Sequence, residues 1–444
     1  MSALSSRDLA RRVLNRVDEG SYATLALAGE LSRSRLSDAD RGFATELVYG
    51  TLKWRIRLDR ALSACASRGL DGLDRPVLDA LRMAAYQLLF LRVPDHAAVD
   101  DAVEAVKRLR GPKLAGFTNA LLRRLGRERE PRLPSTVDAE GLSIVESAPR
   151  WLVDRALEVL GGDGARAFLA GINTPAPTWL RTNTLRATRD QLAASLIGER
   201  PGARLVASTL LPEALAVRHG GDLAATEAFG KGWCTPQDLG AQLVAHLAEP
   251  LAGEQILDAC AGVGGKSAHL AALSSDGADI DAADLSPRKL ELATDLFHRL
   301  GVTRARTIAA DLTDGSAPLR DHYDRVILDA PCSGLGVLRR HPEAKWRGPP
   351  SELEALAALQ GRLLEALAGR VRPGGLLVYS VCTFTVEEGP MRIASFLAGH
   401  PEFTVEPPGA AYASLATADG ALRTWPHRDD ADAFFAVRMR RRAA

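Results

Sequence analysis

With 444 residues, 46% of them hydrophobic and 25% charged, the chain is too long for one ordinary core and has the composition of a globular protein of two or three domains. No apolar stretch reaches transmembrane length, and the first residues lack a basic segment followed by an apolar one; the expected compartment is the cytoplasm, with no membrane role. The net charge of +1 conceals an asymmetry, because residues 1–130 hold 23 Lys and Arg against 17 Asp and Glu, a surplus that suits either a phosphate-binding module or an ordinary solvated helical surface.

Residues 5–128 read as helices throughout. Leu9, Val13 and Val17 recur at helical spacing, as do Leu78, Arg82, Tyr86 and Phe90, and Leu114, Phe117, Leu121, Leu122 and Leu125. Breaks at Gly20, Gly69–Gly72, Pro94 and Gly111–Pro112 divide the segment into five to seven short helices, enough for a compact bundle. Residues 129–149 are proline-rich and aperiodic, which predicts a linker.

Residues 150–235 suggest a small mixed domain. A helix from Trp151 to Leu160 passes through Gly161–Gly162 to a second near Arg166–Ile172. A strand at Thr178–Asn183, a helix at Asp190–Ile197 and a strand at Leu215–Arg218 follow.

From about Pro236 short apolar runs alternate with amphipathic helices. Strands are predicted at Ile256–Ala259, Ile280–Ala283, Arg306–Ala309, Arg325–Asp329 and Leu376–Ser380, with helices such as Arg288–Leu300 and Ser351–Arg370 between them. The pattern predicts a mostly parallel sheet covered on both faces, with ligands outside the carboxyl ends of its strands.

Asp258-Ala-Cys-Ala-Gly-Val-Gly-Gly-Lys-Ser267 follows the first of these strands and opens a helix. A P-loop fails, because its first glycine would fall at Cys260. A dinucleotide loop needs Gly or Ala where Ser267 stands. The third reading is an S-adenosylmethionine loop, with Asp284 placed for the ribose hydroxyls and Asp311 for the adenine amino group; an isolated Asp at a strand end is more often a helix N-cap, and Asp284 before Ser286–Pro287 could be one.

The fourth strand ends in Asp329-Ala-Pro-Cys-Ser-Gly334 and the fifth in Tyr379-Ser-Val-Cys-Thr383. Adjacent strands would bring Cys332 and Cys382 to one cleft beside the cofactor. A lone cysteine is usually a small buried hydrophobe, but this pair suits covalent catalysis on a pyrimidine. Cytosine C5 is a poor nucleophile until a thiolate adds to C6, and that thiolate needs nearby positive charge or a helix N-terminus to lower its pKa. The other three cysteines, Cys65, Cys234 and Cys260, form no C-x-x-C pair and no metal-ligand spacing with these two, so no metal is expected.

DAPCSG with GVLRRHPEAKW (336–346) and YSVCT resembles the RNA cytosine-C5 methyltransferases of the bacterial Sun/RsmB type. LRMAAYQLLFL (81–91) and AVDDAVEAVKRL (98–109) are similar to a NusB-type RNA-binding domain, Arg181–Asn183 to the family's RxN motif, Thr235–Gln242 to the segment entering the catalytic core, and Asp432–Phe435 to its GFF strand. The resemblance implies a NusB-like helical domain at 1–130, a linker at 131–149, a small RRM-like α+β domain at 150–235 and a Rossmann-like α/β class I methyltransferase domain at 236–444. It implies S-adenosyl-L-methionine as cofactor and a monomer acting on RNA rather than DNA. The substrate would be 16S rRNA at a cytosine of the position-967 type. Cys382 would attack C6, Cys332 would assist product release, Asp329 would contact the cytosine and Lys266 would stand by that pocket. Cofactor contacts would come from Ala259, Cys260, Ala261, Gly262, Gly264, Gly265, Lys266, Asp284, Arg288, Asp311 and Asp329. RNA contacts would come from Arg181, Asn183, Arg339, Arg340, His341, Lys345 and Trp346, which suit looped RNA with a base flipped out of its stack. Two departures stand out: CAGVGGKS replaces the family's CAAPGGKT, and Gly389 follows Glu387–Glu388 where Asn is usual. Two rivals are the same chemistry on tRNA or another RNA, and a non-catalytic RNA-binding or antitermination factor.

Overall fold

The computed structural model describes residues 4–66, 69–135, 138–349 and 351–443. The chain forms two compact units, Met1–Thr174 with Leu338–Pro349, and Pro175–Val337 with Pro350–Ala444.

The first unit is helical. Helices α1 (Ser6–Asp18), α2 (Ala23–Ser32), α3 (Asp38–Lys53), α4 (Arg55–Cys65), α5 (Arg75–Phe90), α6 (Asp95–Arg110) and α7 (Pro112–Glu128) share one core. Ser5 and Ser37 cap α1 and α3 by accepting backbone N–H bonds. The predicted linker is not wholly irregular; residues 136 and 137 lie outside the described residues, but Ala139–Val145 forms α8, because Asp138 caps it at the Gly141 N–H and Leu142 is buried beneath it. Helix α9 (Arg150–Asn173) contains the expected break at Gly161, whose φ is 68°.

Residues 338–349 return to this unit through a 3-10 turn at Pro342–Arg347. The Lys345 ammonium, 1% exposed, donates to the carbonyls of Lys53 and Ser147 and to Asn173 Oδ1 at 3.0–3.1 Å. Trp346 Nε1 donates to the Leu52 carbonyl at 2.7 Å.

The second unit begins with an antiparallel sheet of order β2-β3-β1-β4, made of β1 (Thr178–Thr182), β2 (Arg204–Ala207), β3 (Ala214–Arg218) and β4 (Cys234–Pro236), with α10 (Arg189–Glu199) and the short α11 (Glu227–Gly230). Helix α12 (Leu239–Ala248) leads into the larger sheet. There β5 (Gln255–Ala259), α13 (Gly265–Leu273), β6 (Asp279–Asp284), α14 (Pro287–Leu300), β7 (Ala305–Ala309), β8 (Tyr323–Asp329), α15 (Leu353–Ala368) and β9 (Val371–Val381) alternate, and the five strands run parallel. Helix α16 (Pro390–Gly399), β10 (Phe403–Glu406), β11 (Leu422–Arg423), α17 (Pro426–Asp429) and β12 (Phe435–Arg441) complete it in the order β10-β12-β9-β8-β5-β6-β7.

Strands β10 and β12 are antiparallel, an edge that the alternation of strand and helix did not announce. Helices pack on both faces of the buried central strands. Successive parallel strands leave β5 in opposite directions, to β6 on one side and β8 on the other, so a crevice opens at their carboxyl ends.

Candidate active site

Four loops leave the carboxyl ends of β5, β6, β8 and β9. After β5, Gly264 takes φ 78°, and a Cβ there would lie 2.8 Å from Ala293 and Phe297, so the loop packs tightly on α14. Gly262 (φ 58°) and Gly265 face open space instead. Ala259 ends the strand fully buried, Ala261 N–H bonds the Ala283 carbonyl, and Cys260 turns at φ 60° with its thiol pushed up to about 12 by burial and three surrounding carboxylates. Asp258 is buried, accepts from Ser267 Oγ and is pushed up to about 6. Its bond closes the loop onto the helix.

Asp284, at the end of β6, accepts from the Gly262 N–H at 2.9 Å and the Ser286 N–H at 2.8 Å. It therefore ties two loops together. Arg288 is exposed in the first turn of α14. Asp311 is exposed after β7 and accepts from the Thr313 N–H and hydroxyl. An open backbone cradle with a carboxylate at the adjoining strand end has the shape and acceptor type that an adenosyl group needs, since glycines allow close approach of a ligand.

Across the crevice, Lys266 Nζ lies 2.5 Å from Asp329 Oδ2, while Ser380 Oγ donates to Asp329 Oδ1 at 2.7 Å. Three residues past β8 and one past β9, the sulfurs of Cys332 and Cys382 lie 3.1 Å apart, both half-buried. Lys266, Asp329, Cys332 and Cys382 thus converge as expected from their strands.

The direction of the Cys382 pKa reverses the expectation of a lowered one. The hydrogen bond with Cys332, burial and Asp329 push the thiol well up, against the pull of Lys266 in the other direction. The reason is composition: Lys266 faces two sulfurs and a carboxylate.

Glu388 is the residue that sequence reasoning left without a task. Fully buried, it accepts from Ser333 N–H at 2.8 Å, Ser333 Oγ at 2.6 Å, Thr385 Oγ1 at 2.9 Å and Gln360 Nε2 at 3.1 Å. Gln360 also donates to the Pro331 carbonyl. One carboxylate therefore clamps both cysteine loops. The signal was present in the acid pair Glu387–Glu388, five and six residues past Cys382.

The expected RNA contacts need correction. Arg181 and Asn183 are 1% and 2% exposed, and Asn183 Nδ2 donates to the Gly232 and Leu300 carbonyls. Lys345 is likewise enclosed, with three oxygen partners. Arg339 is buried and donates to the Thr174 carbonyl. Each packs inside a unit, where no phosphate reaches it. Arg340, His341 and Trp346 keep partial exposure in the first unit.

Three family models match consecutive stretches: the NusB family over residues 4–127, a ferredoxin-like domain of RsmF/B-like methyltransferases over 148–224, and the 16S rRNA methyltransferase RsmB/F over 245–440. A probable ribosomal RNA small subunit methyltransferase B of Bacillus subtilis is 34% identical, with all of each chain covered. The chain belongs to the ribosomal RNA small subunit methyltransferase B family. The family's Klebsiella pneumoniae member is 31% identical over 99% of both chains. The crystal structure of PH0851 superposes with a TM-score of 0.82 at 25% identity, covering 98% of each chain. By family the chain is an S-adenosyl-L-methionine-dependent rRNA methyltransferase. None of its described helices is long and apolar enough to cross a membrane.

Proposed function

We propose that this RsmB-family chain methylates C5 of a cytosine in 16S rRNA, at a position of the 967 type, with Cys382 as the covalent nucleophile. The 3.1 Å separation of the Cys332 and Cys382 sulfurs beside the Lys266–Asp329 pair carries the reading. Lone cysteines occur in many cores; two facing thiols at adjacent strand ends, next to a cofactor loop, suit the two proton movements of this reaction.

Gly262, Gly264, Gly265 and Asp284 hold S-adenosyl-L-methionine, with Ala259, Cys260, Ala261, Arg288 and Asp311 as further neighbours. When bound, that group supplies an electrophilic methyl and a positive sulfonium charge. Cys382 Sγ loses its proton to water and, as thiolate, bonds to cytosine C6, which moves the C5=C6 electron pair to C5, where it takes the methyl group. Asp329 accepts from the exocyclic amine and orients the ring, since each of its oxygens keeps a lone pair beyond its present bond. Lys266 fixes that carboxylate and steadies the Cys382 thiolate. Once C5 is methylated, its proton passes to water, the C5–H pair re-forms C5=C6 and the C6–S pair returns to Cys382. Cys332, in contact with that sulfur, assists the release.

The NusB-like helices (1–130) and the small α+β domain (150–235), joined by residues 131–149, serve RNA binding, the catalytic domain (236–444) carries the chemistry, and the protein acts as a monomer. Arg340, His341 and Trp346 are the motif residues that keep surface for RNA. Bisulfite mapping of 16S rRNA from cells with and without the gene tests the assignment. Loss of one 5-methylcytosine supports it; an unchanged rRNA with a lost tRNA mark would move the same chemistry to tRNA.

A further inference from the structure

Arg181, on β1, occupies a position no RNA can reach, and its partners give it another task. Its Nη1 donates to Gln237 Oε1 and to the Gly265 carbonyl, both at 2.7 Å. Gly265 is the first residue of α13, next to Lys266. Near the guanidinium stands Glu213, also buried, whose Oε1 lies 2.6 Å from His246 Nε2 and 3.0 Å from His269 Nε2. His269 lies on α13 one turn beyond Gly265, on the same side of the helix.

The smaller sheet therefore grips the start of α13 twice. Arg181 holds a carbonyl of its first turn, and Glu213, just before β3, holds its histidine. His269 is pushed down to about 3 by burial and by Arg181, so it donates as a neutral imidazole. Glu213 and the two histidines have the donor types of a metal site, with ligand atoms within 4.8 Å of one another. The carboxylate is already engaged by two ring nitrogens and balanced by Arg181, so little negative charge is left over for a divalent cation.

We infer that Arg181 is a positioning residue for the glycine loop, fixing the Gly265 carbonyl so that cofactor affinity depends on a residue of the small sheet. The inference rests on reading that loop as the S-adenosyl-L-methionine cradle. Losing a charged donor at a buried carbonyl is expected to weaken the held geometry substantially.

The test is calorimetric titration of S-adenosyl-L-methionine into the full chain, with steady-state kinetics and Tm alongside. Arg181→Met should raise the cofactor Kd and KM about tenfold or more, the range expected of one charge-assisted bond, and leave the KM for RNA unchanged. Arg181→Lys should recover part of the loss, since an ammonium can still serve one carbonyl. A cofactor Kd unchanged in Arg181→Met, or a rise confined to the RNA KM, overturns the inference. If Arg181→Met does not fold, Gln237→Leu, which removes the other acceptor, should raise the cofactor Kd several-fold; an unchanged value overturns it equally. Asp284→Ala separates the two levels: if it leaves the Kd unchanged the cradle itself is misplaced, whereas a weakened Asp284→Ala beside a normal Arg181→Met sinks only the role of Arg181.

Discussion

Cys332 and Cys382 stand with their sulfurs 3.1 Å apart, one past the end of β8 and the other past the end of β9. Either thiol can donate to the other, so each is the other's nearest sulfur proton partner. Replacing Cys382 with Ala should abolish methyl transfer while leaving the cofactor Kd unchanged. Replacing Cys332 with Ala should slow turnover about a hundred- to ten-thousandfold, as for loss of a positioned acid–base group, and accumulate an RNA adduct that survives SDS. Gel analysis of labelled RNA distinguishes the two variants.

The raised pKa of Cys382 makes the reaction pH-dependent. With Cys332, burial and Asp329 holding the proton on, the reactive thiolate is the minor form at neutral pH. kcat/KM should therefore climb with pH over about pH 6 to 9. Lys266→Met removes a group that pulls the pKa down, and should move the climb to higher pH. A flat wild-type profile would contradict this account of the pocket.

Gly336 packs against the backbone that carries Cys382. Its N–H donates to the Cys382 carbonyl at 2.9 Å, and an added Cβ would lie 2.0 Å from the Ala433 carbonyl oxygen and 2.7 Å from that of Cys382. Nothing in that backbone can rotate aside. Gly336→Ala should cost about 1–3 kcal/mol of stability, the range for overpacking, and displace the Cys382 loop. Thermal unfolding and single-turnover rates would both report it.

Lys345 should make the stability of the helical unit depend on pH. Burial and Lys53 hold its pKa down to about 7 from 10.5. The folded state thus releases this proton before the unfolded chain does. The penalty of the buried charge is full below about pH 7 and lifts as pH rises toward 10.5. Denaturant midpoints of wild type should rise relative to Lys345→Met across that window; parallel curves would contradict it.

Much of this architecture was legible because it depends on local pattern. The periodicity from Leu9 to Leu125 and the strand ends near Ala259, Asp329 and Ser380 follow from the alternation of apolar and polar residues. The antiparallel β12 was visible only in part, through the resemblance of Asp432–Phe435, since most of its residues pair through distant contacts. Lys345 and Arg181 look like solvent-facing cations in one dimension. Their acceptors, the carbonyls of Lys53 and Ser147 in one case and of Gly265 in the other, come from far along the chain. The acid pair marked Glu388, but its task was hidden for the same reason: its partners Ser333 and Gln360 lie 55 and 28 residues away.

The most direct measurement uses a 16S rRNA transcript made with 5-fluorocytosine, incubated with the full chain and S-adenosyl-L-methionine. Fluorine at C5 leaves no proton to remove, so a bond from sulfur to C6 persists through denaturation. Peptide mass spectrometry of the trapped complex should find the methylated nucleotide on Cys382. Attachment to Cys332, or a methylated RNA with no protein bound, would contradict the account.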